Sequence, residues 1–531
     1  MKSRLHSLTL ITLVFSLLFL SIAACSTGPE ETSTLVYGLT LAPTGIDPHL
    51  NASSELGIPL RSVYDTLIFL NPETGKFVPG LAETWTISPD GLTYIFTLRR
   101  NVIFHDDTPF NSQAVLANLD RIRDPDNHSQ KAVFMLGPLE KMEIIDDYKV
   151  AIHLSEPYAP LLDSLSDVYL GMASPTAFET WGPAEYQFHQ VGTGPYRFVE
   201  YIPNDRLTLD RNPDYAWAPS IYLQPQADIE NIIFRFYEDS STRALALESG
   251  EIDIIGEVPP HDATRLSVDG DFTLYPVSIP GQPMQFFFNT QLSPTDDVIV
   301  RRALIHAVDR SYAVNTVFGV YSVVAHSPFS ASAFNLEAQD LILDYDPARA
   351  EALLEAAGWT DEDGDDIRSK NNIPLELHVV SPTWGSNPEV AQLIRANWET
   401  IGAKVILEVA PGFGPLKEAQ TQGEYHAIGI NLFGTDPDLL RSFFSSNGLY
   451  NWTGFTDPEQ DQLLLQAAQT SHDPEERLRL YQQFVSDVQE EALLLPIRFY
   501  VNLVVTSKRV EGLHFSAQGW YPILIDLRIT H

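Results

Sequence analysis

The chain has 531 residues, 33 basic and 70 acidic side chains, a formal net charge of −37 and a single cysteine. So acidic a surface offers no cationic footprint for nucleic-acid phosphates, and one cysteine permits neither an intramolecular disulfide nor a cysteine-rich zinc site. Hydrophobic residues at 44% and aromatics at 11% supply enough apolar mass for a large core, so a mainly disordered chain is excluded and two to four domains are expected.

At the N-terminus, Lys2 and Arg4 precede an apolar run from Leu8 to Leu20, which ends at Ser21-Ile22-Ala23-Ala24-Cys25. A charged start, an apolar stretch and small residues at its end have the order of a secretory leader, and the stretch is shorter than the roughly 20 residues of a stable membrane span. The cysteine directly after Ile22-Ala23-Ala24 resembles a bacterial lipobox. That resemblance implies removal of residues 1–24, a lipid on Cys25, and a flexible tether over the polar residues 25–34. The mature protein is therefore expected at the periplasmic or extracytoplasmic cell surface, held to the membrane by its N-terminal lipid.

Beyond the tether, short β-rich runs alternate with amphipathic helical stretches. Leu35–Leu39, Leu92–Leu98 and Asn231–Phe236 read as strands, with Asp90-Gly91 as a hairpin turn and Trp85, Tyr94 and Phe96 as core aromatics. Gly192 and Gly194 read as points of close backbone approach. Asp346-Pro347 opens a helix that Gly358 ends, and Asp473-Pro474 opens another with Leu478, Tyr481, Val485 and Val488 on one face. The pattern is that of an α/β chain with several lobes.

Two acidic clusters read as structural. Asp296-Asp297 precedes a helical run and is expected at its N-terminus. Asp361-Glu362-Asp363-Gly364-Asp365-Asp366 starts like a calcium loop, but Asp366 stands where the sixth-position glycine belongs, so a solvated turn is the reading. No Gly-x-Ser-x-Gly, His-Glu-x-x-His, phosphate-cradling or dinucleotide motif occurs, and the 14 histidines form no metal-facing pair within one element. No cofactor or metal is expected.

Five motifs in a fixed order carry a family resemblance. Leu81-Ala82-Glu83-Thr84-Trp85 leads through Ser88-Pro89-Asp90-Gly91 to Val102-Ile103-Phe104-His105-Asp106, departing at Asp107, where glycine is usual. Val191-Gly192-Thr193-Gly194-Pro195-Tyr196 follows, then Leu247-Glu248-Ser249-Gly250-Glu251-Ile252-Asp253. Phe288-Asn289-Thr290 with Val300-Arg301-Arg302-Ala303, and lastly Ala356-Ala357-Gly358-Trp359, complete the set. Together they resemble the extracellular solute-binding proteins of the dipeptide, oligopeptide and nickel importers, family 5.

The resemblance implies an α/β, two-lobed periplasmic-binding-protein (type II, venus-flytrap) fold with an extra domain inserted in the first lobe. Lobe I would take residues 35–70, 190–280 and 495–531, the inserted domain 71–189, and lobe II 281–494, with hinge crossings near Pro280-Gly281 and Pro496. The implied activity is reversible capture of a peptide or similar organic solute by a monomer and its delivery to the permease and ATPase subunits of an ABC importer. Peptide-binding relatives hold the peptide's amino group with an aspartate in a segment that matches Asn431 to Pro437. Aligning Asp436-Pro437 puts Phe433 at that aspartate's place. Ligand contacts are expected from Asn51, Glu55, Trp384, Asn431, Phe433 and Asp436. His49 and His426 are the histidines to weigh for a nickel chelate, each read as structural. Oligosaccharide binding by the same fold, and a secreted hydrolase working through paired carboxylates, are the alternatives.

Overall fold

The computed structural model describes residues 33–40, 45–51, 53–330 and 344–530; the leader and Cys25 lie outside them. Two large sheets organise these residues. In the first, seven strands lie in the order Phe272–Ser278, Val501–Ser507, Ile254–Ile255, Thr34–Leu39, Asn231–Phe236, Arg206–Arg211, Tyr196–Ile202. In the second, five lie in the order Lys404–Ala410, Glu376–Pro382, Ala427–Gly429, Met284–Phe288, Leu494–Arg498. A four-stranded antiparallel sheet of Ala82–Ile87, Thr93–Leu98, Lys149–Leu154 and Leu139–Asp146 forms an extra domain inserted in the first lobe.

Burial explains this sorting. One continuous apolar core joins the inserted domain to one face of the seven-stranded sheet, running from Tyr94, Phe96 and Leu119 through Tyr64 and Leu67 to Ile232 and Phe234. A smaller cluster around Leu247, Ile255, Leu266 and Val505 covers the other face. The five-stranded sheet alternates between two cores: Met284, Phe286 and Phe288 face Trp398 and Val300, whereas Phe287 faces Phe443 and Tyr481. Trp85 is only half-buried, because its strand is the edge of the four-stranded sheet, while Tyr94 and Phe96 are fully enclosed.

Local chemistry sets the element ends. The Asp346 and Asp473 side chains accept the N–H groups of Arg349 and Glu476, capping helices Pro347–Ala356 and Pro474–Glu490. Tyr481, Val485 and Val488 are buried on the second helix as its spacing requires, and Leu478 is partly buried. Asp297 caps Val298–His306 through the Ile299 N–H. A Cβ on Gly192 would lie 2.0 Å from the Val63 carbonyl oxygen, so that glycine is required by close approach. Asp107 adopts φ 66°, the left-handed conformation that favours glycine, the residue the resemblance implies at that place.

The chain passes between the two large sheets twice. The first passage runs from Ser278 to Met284 and contains Pro280-Gly281. The second comes at 499–500, slightly later than expected, because Leu494–Arg498 still pairs with Met284–Phe288. Pro496 therefore lies inside a strand, which its missing N–H allows because that strand is an edge.

Candidate functional site

The two passages decide where a site can form. Strands Thr34–Leu39, Asn231–Phe236 and Ile254–Ile255 are parallel, and Val501–Ser507 begins at their carboxyl ends. Strands Glu376–Pro382 and Ala427–Gly429 are parallel too, and the antiparallel Met284–Phe288 begins, and Leu494–Arg498 ends, at their carboxyl ends. Both passages join these ends, so the carboxyl ends of the two sheets meet. In open α/β sheets the crevice outside the carboxyl ends of the strands is where ligands are held.

On the first-lobe side, Glu257 follows Ile254–Ile255 with φ 49°, and its backbone N–H donates to Asn502 Oδ1 at 2.8 Å. Its side chain is exposed. Beside it, burial pushes the Tyr37 phenol above its ordinary range, with Glu55 and then Glu257 adding to the shift and Arg243 opposing it. Arg243 is held by the Tyr237 and Glu257 carbonyls at 2.6 and 3.3 Å.

On the second-lobe side, Tyr500 is the hub. The Phe433 ring lies 4.8 Å from it, edge to face, and 5.4 Å from Trp520. The Arg498 guanidinium carbon stands 4.3 Å from the Tyr500 ring centre and 3.8 Å from that of Phe318. Gly385 has φ 63°, and a Cβ there would come within 2.3 Å of Tyr500 Oη. Glu257 and Arg498 both act on the Tyr500 phenol, whose pKa burial raises, Arg498 lowers and Glu257 raises. The two sides therefore belong to one electrostatic neighbourhood.

Several buried polar atoms here have no protein partner: Arg498 Nε, Gln282 Nε2, both amide atoms of Gln285, and Trp520 Nε1. Arg498 is 5% exposed, donates through Nη1 to Ser322 Oγ at 2.9 Å, and faces no carboxylate in any ion pair of the described residues. Burial lowers its pKa, with Tyr500 opposing that shift. Buried polar groups are normally satisfied, so orphans gathered at a strand-end crevice are candidates to meet a polar ligand.

The expected contact residues divide. Trp384, half-buried on the loop after Glu376–Pro382, and Asn431 and Phe433, after Ala427–Gly429, come together at the second lobe's strand ends. Glu55 sits at the end of Thr34–Leu39, where its carboxylate accepts the Thr40 N–H at 3.1 Å and the Thr40 hydroxyl. Asn51 closes its own turn, accepting the Asp47 N–H at 3.1 Å. Asp436 is held bidentately by Arg477 at 2.6 and 2.7 Å, so its carboxylate is already occupied. Tyr500, Arg498, Glu257, Asn502, Gln282 and Trp520 escaped the sequence reading, since none sits in a recognisable motif and each gains meaning only from convergence.

The two weighed histidines are structural. His49 bonds the Gly171 carbonyl at 2.8 Å and faces Arg121, and burial together with that cation lowers its pKa to about 4. His426 bonds the Ser293 carbonyl at 2.9 Å and accepts the His378 N–H. Asp361, Asp363 and Asp365 lie in an exposed turn, where Asp361 accepts the N–H groups of Gly364 and Asp366. A small cavity of about 40 Å³ bordered by Arg310, Ser327, Val488 and Ala492 is lined by the second lobe alone.

Known proteins share this fold. The model of bacterial extracellular solute-binding proteins, family 5 Middle, matches residues 76–453. The nickel-binding periplasmic protein of Escherichia coli K12 is 29% identical over 510 residues, covering 91% of each chain. The glutathione-binding protein GsiB of Shigella flexneri is 31% identical over 476 residues, covering 88% of this chain and 89% of its own. The structure of NikA from Brucella suis in complex with Fe(III)-EDTA superposes with a TM-score of 0.83 at 26% identity, covering 94% of this chain and all of that one. This chain belongs to the bacterial extracellular solute-binding proteins of family 5, and is the non-enzymatic, two-lobed solute receptor of an ABC importer.

Proposed function

We propose that the crevice captures a small zwitterionic organic solute of the peptide class. The observation that carries this reading is the pair of opposite charges flanking one aromatic cluster. Arg498, with an unpartnered Nε, offers a guanidinium to a carboxylate, and the exposed Glu257 offers a carboxylate to an ammonium. Phe433, Tyr500, Trp520 and Trp384 supply rings that cover an apolar or amide surface between them. A relative that binds glutathione, itself an amine-bearing tripeptide, supports the same class. The departure at Phe433 fits as well: the amine anchor moves from the second lobe to Glu257 of the first, so both lobes grip the solute.

Capture then works through the two passages. Residues 35–280 outside the insertion, with the C-terminal segment, form one lobe, and residues 281–498 the other. Closure about 279–283 and 499–500 expels water and presents a shape that the permease and ATPase subunits distinguish from the open one. The receptor is a monomer tethered by a lipid on Cys25.

Thermal-shift titration of the purified protein against di- to tetrapeptides, glutathione, a nickel–histidine chelate, heme and oligosaccharides tests the class. Stabilisation by peptides or glutathione, lost in Arg498→Met, is expected. Stabilisation by the chelate, heme or sugars alone would overturn it. Mass analysis of the mature N-terminus tests the anchor, which requires a lipidated Cys25.

A further inference from the structure

We propose that closure of the crevice is coupled to proton uptake at a second contact between the lobes, where Asp163 of the inserted domain meets Thr435 and Asp436 of the second lobe. This rests on the two lobes closing over a solute and not on which solute is bound.

The contact is built from both sides. Helix Leu161–Ser164 presents Asp163, whose Oδ1 accepts the hydroxyl of the buried Thr435. Nearby, the Ala159 N–H donates to the Ala468 carbonyl at 2.7 Å, and His472 Nε2 bonds the Ser88 carbonyl at 2.7 Å. These bonds join the inserted domain to the second lobe. The inserted domain shares its apolar core with the first lobe, so they report on the distance between the lobes.

The charges around Asp163 are unbalanced. From the second lobe, Asp436 faces it with Arg477, and Asp438 lies close by, ion-paired with Arg441 at 2.7 Å. From its own domain it is faced by Asp167, by the Tyr158 phenol and by Lys131, whose ammonium stands 3.7 Å from the Tyr169 ring centre. Arg477 and Arg441 are each engaged by another carboxylate, so Asp163 is an additional acid in the contact. Loss of water and then the charge of Asp436 push its pKa up to about 7, against the opposing Thr435 hydroxyl and Arg477.

The linkage has a definite sign. When the lobes separate, Asp163 regains water and the ordinary range near pH ~4. Between ~4 and about 7 the closed form holds a proton that the open form has released. Closure is therefore strongest in acid and weakens as pH rises through that window, by up to about tenfold per pH unit in the closed-to-open ratio, then levels off. Solute would be gripped more tightly in an acidified medium than in a neutral one.

Hydrogen exchange on the full-length protein reads this without a solute, through the Ala159 amide. Its protection, corrected for intrinsic exchange, should fall between pH 5 and 7 and stay flat from 7 to 8.5. Asp163→Asn keeps the acceptor for Thr435 and removes the charge, so its protection should stay at the acid level throughout. Thr435→Val should expose the amide at every pH, while amides of the distant pair Glu376–Pro382 and Lys404–Ala410 report that each variant is folded. A flat wild-type profile, an Asp163→Asn profile as pH-dependent as the wild type, or full protection in Thr435→Val would overturn the coupling. A failed solute screen would leave these readouts untouched.

Discussion

Phe433 and Asp436 are three residues apart on one loop, yet they enter two contacts between the lobes that obey different physics. At Phe433 the lobes meet through rings, and polar atoms of Arg498, Gln282, Gln285 and Trp520 are left unpartnered. At Asp436 carboxylates and guanidinium groups are paired and a hydroxyl is matched to a carboxylate. Satisfied polar groups build structure, whereas unsatisfied ones call for an account, and the function proposed above supplies one at the crevice. Residue type alone would rank the two the other way, since an aspartate looks more like a binding residue than a phenylalanine.

The sharpest way to break this contrast is Arg477→Met. It strands Asp436 in a partly buried site, and loss of one partner of a buried pair destabilises by about 3–5 kcal/mol. Chemical denaturation should show that loss, and a stability equal to the wild type would mean the pair is not structural. Arg498→Met should behave oppositely. Stability should fall far less than in Arg477→Met, because only ring contacts and a hydroxyl partner are lost and no carboxylate is abandoned, while peptide affinity measured by calorimetry should fall about 10- to 100-fold, the range of a charged hydrogen bond of ~1.5–3 kcal/mol.

Phe433→Ala should weaken the same solute by about tenfold through the lost ring contacts, of order 0.5–1.5 kcal/mol per aromatic pair. Unchanged affinity would remove the ring from the site. The smallest effect belongs to Glu257→Gly. Relief of the left-handed backbone at φ 49° should stabilise the free protein by up to ~1 kcal/mol, even as loss of the carboxylate weakens binding of an amine. A stabilised variant that binds as well as the wild type would leave the ammonium partner to another residue.

Much of the scaffold could be read from the sequence because its signals are local. Asp346-Pro347 and Asp473-Pro474 announce their helices, Asp90-Gly91 its turn with φ 70° at the glycine, and Gly192 its close approach. The crevice could be read only in part. Trp384, Asn431 and Phe433 follow strands that are recognisable by pattern, so they could be placed at strand ends. Asp436 is expected among the ligand contacts, and the pairing that occupies its carboxylate is illegible in the sequence because Arg477 is 41 residues away on another helix. Arg498, Tyr500 and Asn502 form a short run that looks like the edge of a strand, and only the crossing between sheets gives them a common face.

The second lobe's sheet is drawn entirely from residues 284–498, entered and left through two passages that lie beside each other at Gly281 and Tyr500. That makes it a cassette. Exchange of this one uninterrupted stretch between relatives would replace the second lobe's side of the crevice in a single recombination event and leave every strand pairing of the seven-stranded sheet intact. A fold joined in this way can change its cargo without relearning how to fold.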